Sequence, residues 1–220
     1  MIRLLTILLA LASTTLHDTP MPDDVTVEGI DVSHYQGDID WSKVKNDGIV
    51  FAIIKATQGM RTVDPRFKLN WAASKKAGLN RGAYHFLEPD QDGTAQAKHF
   101  LKTVNFAKGD LIPAVDVERK GEALTRTLKA FLAEVKSSLG VEAVIYVSPS
   151  FWNEHLADAF DAPLPNPLWI AEYGASKPKA TRKIGPWLVW QYSQTGRVDG
   201  ISGPVDRDRA RTLTGDHHIR

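Results

Sequence analysis

Two acidic residues follow an apolar stretch near the middle of the chain. Asp116 and Glu118 lie two positions apart, directly after residues 112–115 (IPAV). On a β-strand such a spacing places both carboxyls on one face, and two carboxyls in a partly desolvated site cannot both ionise easily. One of them then keeps a proton near neutral pH, as the general acid of glycoside hydrolysis must, while a second group stabilises the cationic sugar centre. A solvated strand end whose charges pair with Arg119 and Lys120 remains the alternative.

Two further acids lie in segments that are otherwise suited to burial. Asp31 interrupts the sequence GIDV, and Asp206 follows the sequence GPV. A buried Asp requires a hydrogen-bonding partner or a function. Each of these acids could be a structural carboxylate that caps a loop amide. If instead they face Asp116 and Glu118, the four carboxyls form a candidate catalytic cluster.

Other polar and aromatic side chains gather where the predicted strands end. Sugar rings present apolar C–H faces, so aromatic rings beside carboxyls suit a saccharide-binding groove. Core packing is the alternative, and it is the stronger interpretation for Phe86. The candidate substrate-binding residues are Tyr35, Tyr84, Phe86, Glu172, Tyr173, Trp190, Gln191 and Tyr192.

The elements that must position these residues alternate between strand-like and helix-like segments. Near-continuous apolar runs predict strands over residues 29–32, 50–56, 80–86, 112–118, 143–148, 168–172 and 187–192. Helical periodicity predicts a helix with Pro65 in its first turn, and helices over residues 94–104 and 124–139. After Pro163 turns replace the helices. This pattern predicts an α/β fold with a parallel barrel, regular in its first half and β-rich in its second, whose functional groups lie at the carboxyl ends of the strands.

Composition excludes several other kinds of function. With 27 Lys and Arg against 26 Asp and Glu, the chain lacks the basic excess that nucleic-acid binding needs, so we expect no nucleic-acid partner. The absence of cysteine excludes disulfides, thiolate metal sites and a thiol nucleophile. The sequence contains no H-E-x-x-H, G-x-S-x-G, G-x-G-x-x-G or P-loop motif, and its histidines show no metal-ligand spacing. We therefore expect neither a metal nor a cofactor.

The first residues have the composition of an export signal. A short basic region precedes an apolar run over residues 4–11, and residues 10–12 (ALA) offer a cleavage site. We expect a signal peptide over residues 1–12, a disordered segment over 13–26, one catalytic domain over 27–213 and a polar tail over 214–220. The expected mature protein is a monomer, secreted or periplasmic, without a membrane anchor.

Several motifs in order resemble glycoside hydrolase family 25, the muramidases often called Chalaropsis-type lysozymes. The matching segments are residues 29–36 (GIDVSHYQ), 39–41 (IDW), 51–59 (FAIIKATQG), 82–86 (GAYHF), 113–118 (PAVDVE), 169–173 (WIAEY), 190–193 (WQYS) and 205–206 (VD). Any one of them is a weak signal, but together, in the right order between about residues 27 and 213, they are specific. Gln58 departs from the family pattern, where Glu is frequent, which removes one rim charge and puts the substrate preference in doubt.

The resemblance implies a flattened TIM-like barrel of five β/α units followed by three β-strands. It also implies hydrolysis of the β-1,4 bond between N-acetylmuramic acid and N-acetylglucosamine in peptidoglycan glycan strands. Glu118 would be the general acid, while Asp31, Asp116 and Asp206 would position it, tune it or orient the substrate acetamido group. A catalytically inactive saccharide-binding barrel and a chitinase-like enzyme remain alternatives.

The resemblance leaves the stereochemical course open. An Asp two residues before an acidic Glu is also the arrangement of substrate-assisted hydrolases, in which the 2-acetamido oxygen acts as the nucleophile. We expect this retaining course, with Asp116 orienting the amide. An inverting attack by water is the alternative.

Overall fold

Eight strands close into a barrel in the computed structural model, which describes residues 26–178, 187–211, 213 and 215–220. The strands are β1 (Thr26–Val32), β2 (Phe51–Gln58), β3 (Thr62–Val63), β4 (Asn80–Phe86), β5 (Ala114–Asp116), β6 (Val144–Val147), β7 (Leu168–Ala171), β8 (Trp187–Gly196) and β9 (Val205–Arg211). The α-helices are α1 (Trp41–Asn46), α2 (Phe67–Lys76), α3 (Gly93–Val104), α4 (Leu124–Leu139) and α5 (Pro149–His155). The short β3 forms a hairpin with β2 and takes no other part in the barrel.

The barrel order is β1-β2-β4-β5-β6-β7-β8-β9, and neighbouring strands from β1 to β8 run parallel. Strand β9 runs antiparallel to both β8 and β1 and closes the barrel between them. A helix follows each of β1, β2, β4, β5 and β6, whereas β7, β8 and β9 are not followed by an α-helix within the described residues. The expected architecture of five β/α units and three further strands is confirmed.

The hydrophobic core has two layers, one inside the barrel and one between the barrel and its helices. The inner layer contains Phe51, Trp169 and Val189, and it lies below the acidic residues of β1, β5 and β9. The ring of Phe51 passes 2.2 Å from the position that a Cβ on Gly29 would take, so only glycine fits there. This inner layer makes a water-poor floor beneath the carboxyl groups.

Local predictions differ from the structure in several places. Strand β5 contains only residues 114–116 of the predicted 112–118, because Pro113 has no N–H for a ladder and the Ile112 N–H donates to the carbonyl of His217. Helix α2 begins at Phe67, and Pro65 precedes it in a turn where the Asp64 carboxylate accepts the N–H of Arg66. Helices α1 and α5 were not predicted; Ser148 is the N-cap of α5, and its hydroxyl accepts the N–H of Phe151.

The expected signal peptide and nearly all of the segment over residues 13–26 lie outside the described residues. Residues 215–220 run beside residues 109–112 at the amino-terminal end of the parallel strands, where Leu111 pairs with His218. Across the described ranges, no helix combines the length and apolar character that a membrane crossing requires.

Candidate active site

The structure brings the four candidate acids to one groove of about 380 Å³ at the carboxyl ends of the parallel strands. Asp31 lies near the end of β1, Asp116 ends β5, and Glu118 follows two residues later. Asp206 lies near the start of β9, and the reversed direction of that strand brings its beginning to the same end of the barrel. The volume is within the range of small-ligand sites.

A hydrogen-bond network holds Asp31 at the base of the groove. Asp31 is 6% exposed, and its Oδ2 accepts a hydrogen bond of 2.6 Å from Gln191 Nε2. The Gln191 Oε1 in turn accepts the hydroxyls of Tyr146 at 2.9 Å and Tyr173 at 2.6 Å. Burial, followed by the charges of nearby aspartates, raises the pKa of Asp31 well above its usual range. Gln191 and Tyr173 therefore support Asp31.

Asp116 and Glu118 differ in their access to solvent. Asp116 is 7% exposed, and its Oδ1 accepts no hydrogen bond within the described residues. Burial and the charge of Glu118 raise the pKa of Asp116 well above its usual range. Glu118 reaches solvent, but partial enclosure raises the pKa of its carboxyl against the opposing charges of Lys55 and Arg119. A solvent-accessible carboxyl with a raised pKa is suited to donate a proton to a bound polymer.

Two cations border the acids on the side of β2 and β5. The Lys55 Nζ donates to Gln58 Oε1 at 3.0 Å, and Gln58 Nε2 donates to Glu88 at 2.6 Å. Arg119 binds both oxygens of Glu88, at 2.8 and 3.0 Å. Glu88 thus provides a carboxylate beside Gln58, the position where the sequence departs from the family pattern. Sequence reasoning missed Lys55, although a lone charge in an apolar strand is the same signal that identified Asp31.

Three of the candidate aromatic residues line the groove. Tyr35 lies on a 3-10 helix over residues 34–36 and is 81% exposed at the rim, where its ring can meet a sugar face. Tyr84 and Phe86 are buried in β4 and contribute to the wall and floor.

Three other candidate residues lie away from the groove. Gln191 points into the barrel, so Trp190 and Tyr192 point to the outer face of β8, where the Arg209 guanidinium lies 6.0 and 4.5 Å from their ring centres. The side chain of Glu172 does not line the groove, and its backbone carbonyl accepts the Trp190 indole N–H at 2.8 Å. The sequence predicted that these three residues would lie with the acids in the groove. The structure places them elsewhere, because side chains alternate between the two faces of a strand.

Sequence reasoning also missed Tyr146 and Asp208. Tyr146 lies on β6 and donates to Gln191. Asp208 is fully buried two residues after Asp206, and its Oδ1 accepts the indole N–H of Trp169 at 2.8 Å. The two-residue spacing that linked Asp116 to Glu118 would have identified Asp208 as well.

Comparisons with known proteins agree with the fold. The family model described as glycosyl hydrolases family 25 matches residues 30–201. The chain is 40% identical over 195 residues to the uncharacterized protein YegX of Escherichia coli K12, covering 84% of this chain and 70% of that protein. It is 39% identical over 201 residues to lysozyme M1 of Streptomyces globisporus, covering 85% of this chain and 68% of that protein.

Among solved structures, the bacterial lysozyme of Streptomyces coelicolor superimposes with a TM-score of 0.77 at 36% identity. The match covers 86% of this chain and 94% of that one. Sequence motifs, barrel topology and the family model all agree, and the chain belongs to glycosyl hydrolase family 25.

Proposed function

We propose that this chain is a muramidase that hydrolyses the β-1,4 bond between N-acetylmuramic acid and N-acetylglucosamine in peptidoglycan. The observation that carries the proposal is the solvent-accessible acid Glu118 above three more enclosed acids in one groove, with the exposed ring of Tyr35 at the rim. Similarity to a lysozyme of Streptomyces globisporus supports peptidoglycan as the substrate.

In the proposed reaction Glu118 donates its proton to the glycosidic oxygen as the bond to the sugar C1 breaks. The 2-acetamido oxygen of the same sugar attacks C1 and forms a cyclic oxazolinium ion, and the leaving sugar departs as an alcohol. The Glu118 carboxylate then removes a proton from water, and that water attacks C1 and reopens the ring. The two displacements return the original anomeric configuration, and Glu118 regains its proton.

The other three acids have supporting roles in this scheme. Asp116 lines the groove beside Glu118, where it would orient the acetamido group and stabilise the cyclic cation. Asp31 and Asp206 lie on the opposite side of the groove, on β1 and β9, where a carboxylate stabilises positive charge developing at C1. Tyr35 offers its ring to a neighbouring sugar.

Clearing of purified peptidoglycan tests the proposal. Wild type should reduce turbidity, and Glu118→Gln should lower the rate about 10²- to 10⁴-fold because it removes the acid and keeps the side-chain shape. The matched control is Glu122→Gln, a change at an exposed carboxyl outside the groove, which should clear at the wild-type rate. Equal clearing by wild type and Glu118→Gln would refute the role of Glu118.

Two other outcomes would change the proposed function. Sedimentation with peptidoglycan without clearing of any wall would indicate a saccharide-binding barrel. Equal or faster hydrolysis of chitin oligomers, which lack the lactyl group, would indicate a chitinase-like enzyme.

The stereochemistry can be read separately by NMR of the first-formed product. A β-anomer at early times is expected for the assisted, retaining course. An α-anomer formed first would establish the inverting course instead.

We further propose that residues 1–12 direct export and are then cleaved, and that the mature protein acts as a monomer. The basic and apolar composition of these residues supports export. Mass spectrometry of the protein recovered outside the cytoplasm should show a start at residue 13, and light scattering should give the mass of a single chain. An intact start at Met1 inside the cell would refute the export proposal.

A further inference from the structure

A fifth carboxyl lies beneath the groove and belongs to Asp208. Asp208 is 0% exposed and does not line the groove, so it cannot contact a substrate. Its Oδ1 accepts the Trp169 indole N–H at 2.8 Å, while its buried Oδ2 accepts no hydrogen bond from any donor in the described residues. A buried carboxylate oxygen without a donor is costly, so the residue requires a physical explanation.

The strand register brings Asp208 next to Asp31. On the β1–β9 ladder Asp206 is opposite Asp31 and Asp208 is opposite Gly29, so Asp208 is the diagonal neighbour of Asp31 on the same face. Because Gly29 has no side chain, no residue of β1 separates the two carboxyls. The strand register and the absence of a side chain on Gly29 place the two carboxyls side by side inside the barrel.

Two carboxylates cannot hydrogen-bond to each other unless one of them carries a proton. Asp31 opens to the groove and its Oδ2 already accepts the amide N–H of Gln191, which stabilises its charged form. Asp208 likewise accepts one side-chain N–H, from Trp169, but it is more deeply buried and has no exposed surface. The shared proton is therefore better placed on Asp208.

We propose that Asp208 is a positioning residue for the glycosidase reaction, which acts as a neutral acid that donates a hydrogen bond to Asp31. Together with Gln191 it would hold the Asp31 carboxylate in one orientation and keep its charge at the groove. The inference rests on the proposed muramidase activity.

The electrostatic surroundings support a protonated Asp208. Burial raises the pKa of Asp208 well above its usual range; the charges of Asp206 and Glu28 add to this rise, while the hydrogen bonds with Trp169 and Asp31 oppose it. Two titratable groups face it from β1, Asp31 and Glu28, while β7 and β8 contribute the neutral Trp169 and Gln191.

Two substitutions of similar shape separate positioning from packing. Asp208→Asn keeps an acceptor for Trp169 and supplies a permanent N–H donor for Asp31, so kcat should stay within a few-fold of wild type. Asp208→Leu removes the donor, and kcat should fall about 100-fold with little change in KM. Because Asp31 then loses a bond to its charged form, the acidic limb of the kcat–pH profile should move to higher pH in Asp208→Leu alone.

The control is Asp110→Asn, a change to another buried carboxyl, which pairs with Arg81 at the opposite end of the barrel. It should lower the melting temperature and leave the pH profile of the folded enzyme unchanged. An equal loss of kcat in Asp208→Asn and Asp208→Leu would overturn the proposal. So would an unchanged kcat and pH profile in folded Asp208→Leu.

An infrared measurement tests the proton directly and does not require Asp208→Leu to fold. The difference spectrum of wild type minus Asp208→Asn at neutral pH should contain the carbonyl band of a protonated carboxylic acid. A difference spectrum with only carboxylate bands would overturn the proposal even if the enzyme is active. Failure of the underlying function is seen separately, as equal clearing by wild type and Glu118→Gln.

Discussion

Asp31 and Asp206 face each other directly across the β1–β9 pair that closes the barrel. Carboxylates in opposed positions repel each other, and the apolar layer beneath them keeps water from screening the repulsion. Burial, followed by the charge of Glu118, raises the pKa of Asp206 to about 6. Repulsion among the carboxylates at this end of the barrel therefore lowers the free energy of unfolding.

The raised pKa of Asp206 predicts an unusual pH dependence of stability. The folded state binds this proton more tightly than the unfolded state, so the stabilisation is complete below the usual Asp pKa of about 4 and is lost as pH rises to about 6. Asp206→Asn removes the ionised carboxylate and should therefore increase the free energy of unfolding at pH 7. This increase over wild type should be about 1–2 kcal/mol larger at pH 7 than at pH 4, after solvent screening. Urea unfolding at both pH values checks this.

The matched control for that measurement is Asp161→Asn, which changes an exposed carboxyl outside the groove. It should shift stability equally little at both pH values. A stability gain for Asp206→Asn that is the same at pH 4 and pH 7 would contradict the prediction.

The exposed ring of Tyr35 should contribute to substrate binding without contributing to stability. Tyr35→Ala should weaken binding of a soluble glycan fragment by about 1 kcal/mol, close to fivefold in Kd, because it removes the aromatic platform. The melting temperature should not change, since the side chain is 81% exposed. Tyr35→Phe keeps the ring and should bind normally; equal weakening by both variants would show that the hydroxyl is the contact.

Gln191 should be a stability determinant because three side chains depend on its amide. Gln191→Leu leaves the Asp31 carboxyl without its amide donor and the hydroxyls of Tyr146 and Tyr173 without their acceptor. The free energy of unfolding should fall by about 2–4 kcal/mol, measured by urea unfolding. The comparison variant Tyr173→Phe removes one hydroxyl from a partly exposed residue and should cost less than about 1 kcal/mol. A loss for Gln191→Leu no larger than that would indicate that water replaces the network.

Close packing inside the barrel makes Gly29 sensitive to the smallest substitution. A Cβ at this position would lie 2.2 Å from the Phe51 ring, so Gly29→Ala should cost about 1–3 kcal/mol of unfolding free energy. Adding Phe51→Leu should recover part of that loss, and a double-mutant cycle would measure the coupling. Gly203→Ala, where a Cβ meets no atom within 4 Å, is the control and should be nearly neutral. Additive losses in the double mutant would contradict a direct clash.

The sequence predicts where the strands end, because parallel barrel strands are apolar along their length and polar only where they reach the surface. The boundaries of β4 and α4 match the predicted ranges, and the four acids predicted to lie together line one groove. Strand β5 was overextended because an apolar run does not reveal where Pro113 interrupts the ladder.

The sequence by itself determined the fold class, the end of the barrel that carries the acids and the identity of those acids. It could not determine which face of β8 points inward, because parallel strands in this fold are buried on both faces and show no polar alternation. Only the tertiary structure placed Gln191 inside with Asp31, turned Trp190 and Tyr192 to the outer face, and put Asp208 beneath the groove. These relationships depend on contacts between strands that are far apart in the chain, and closure of the barrel creates them.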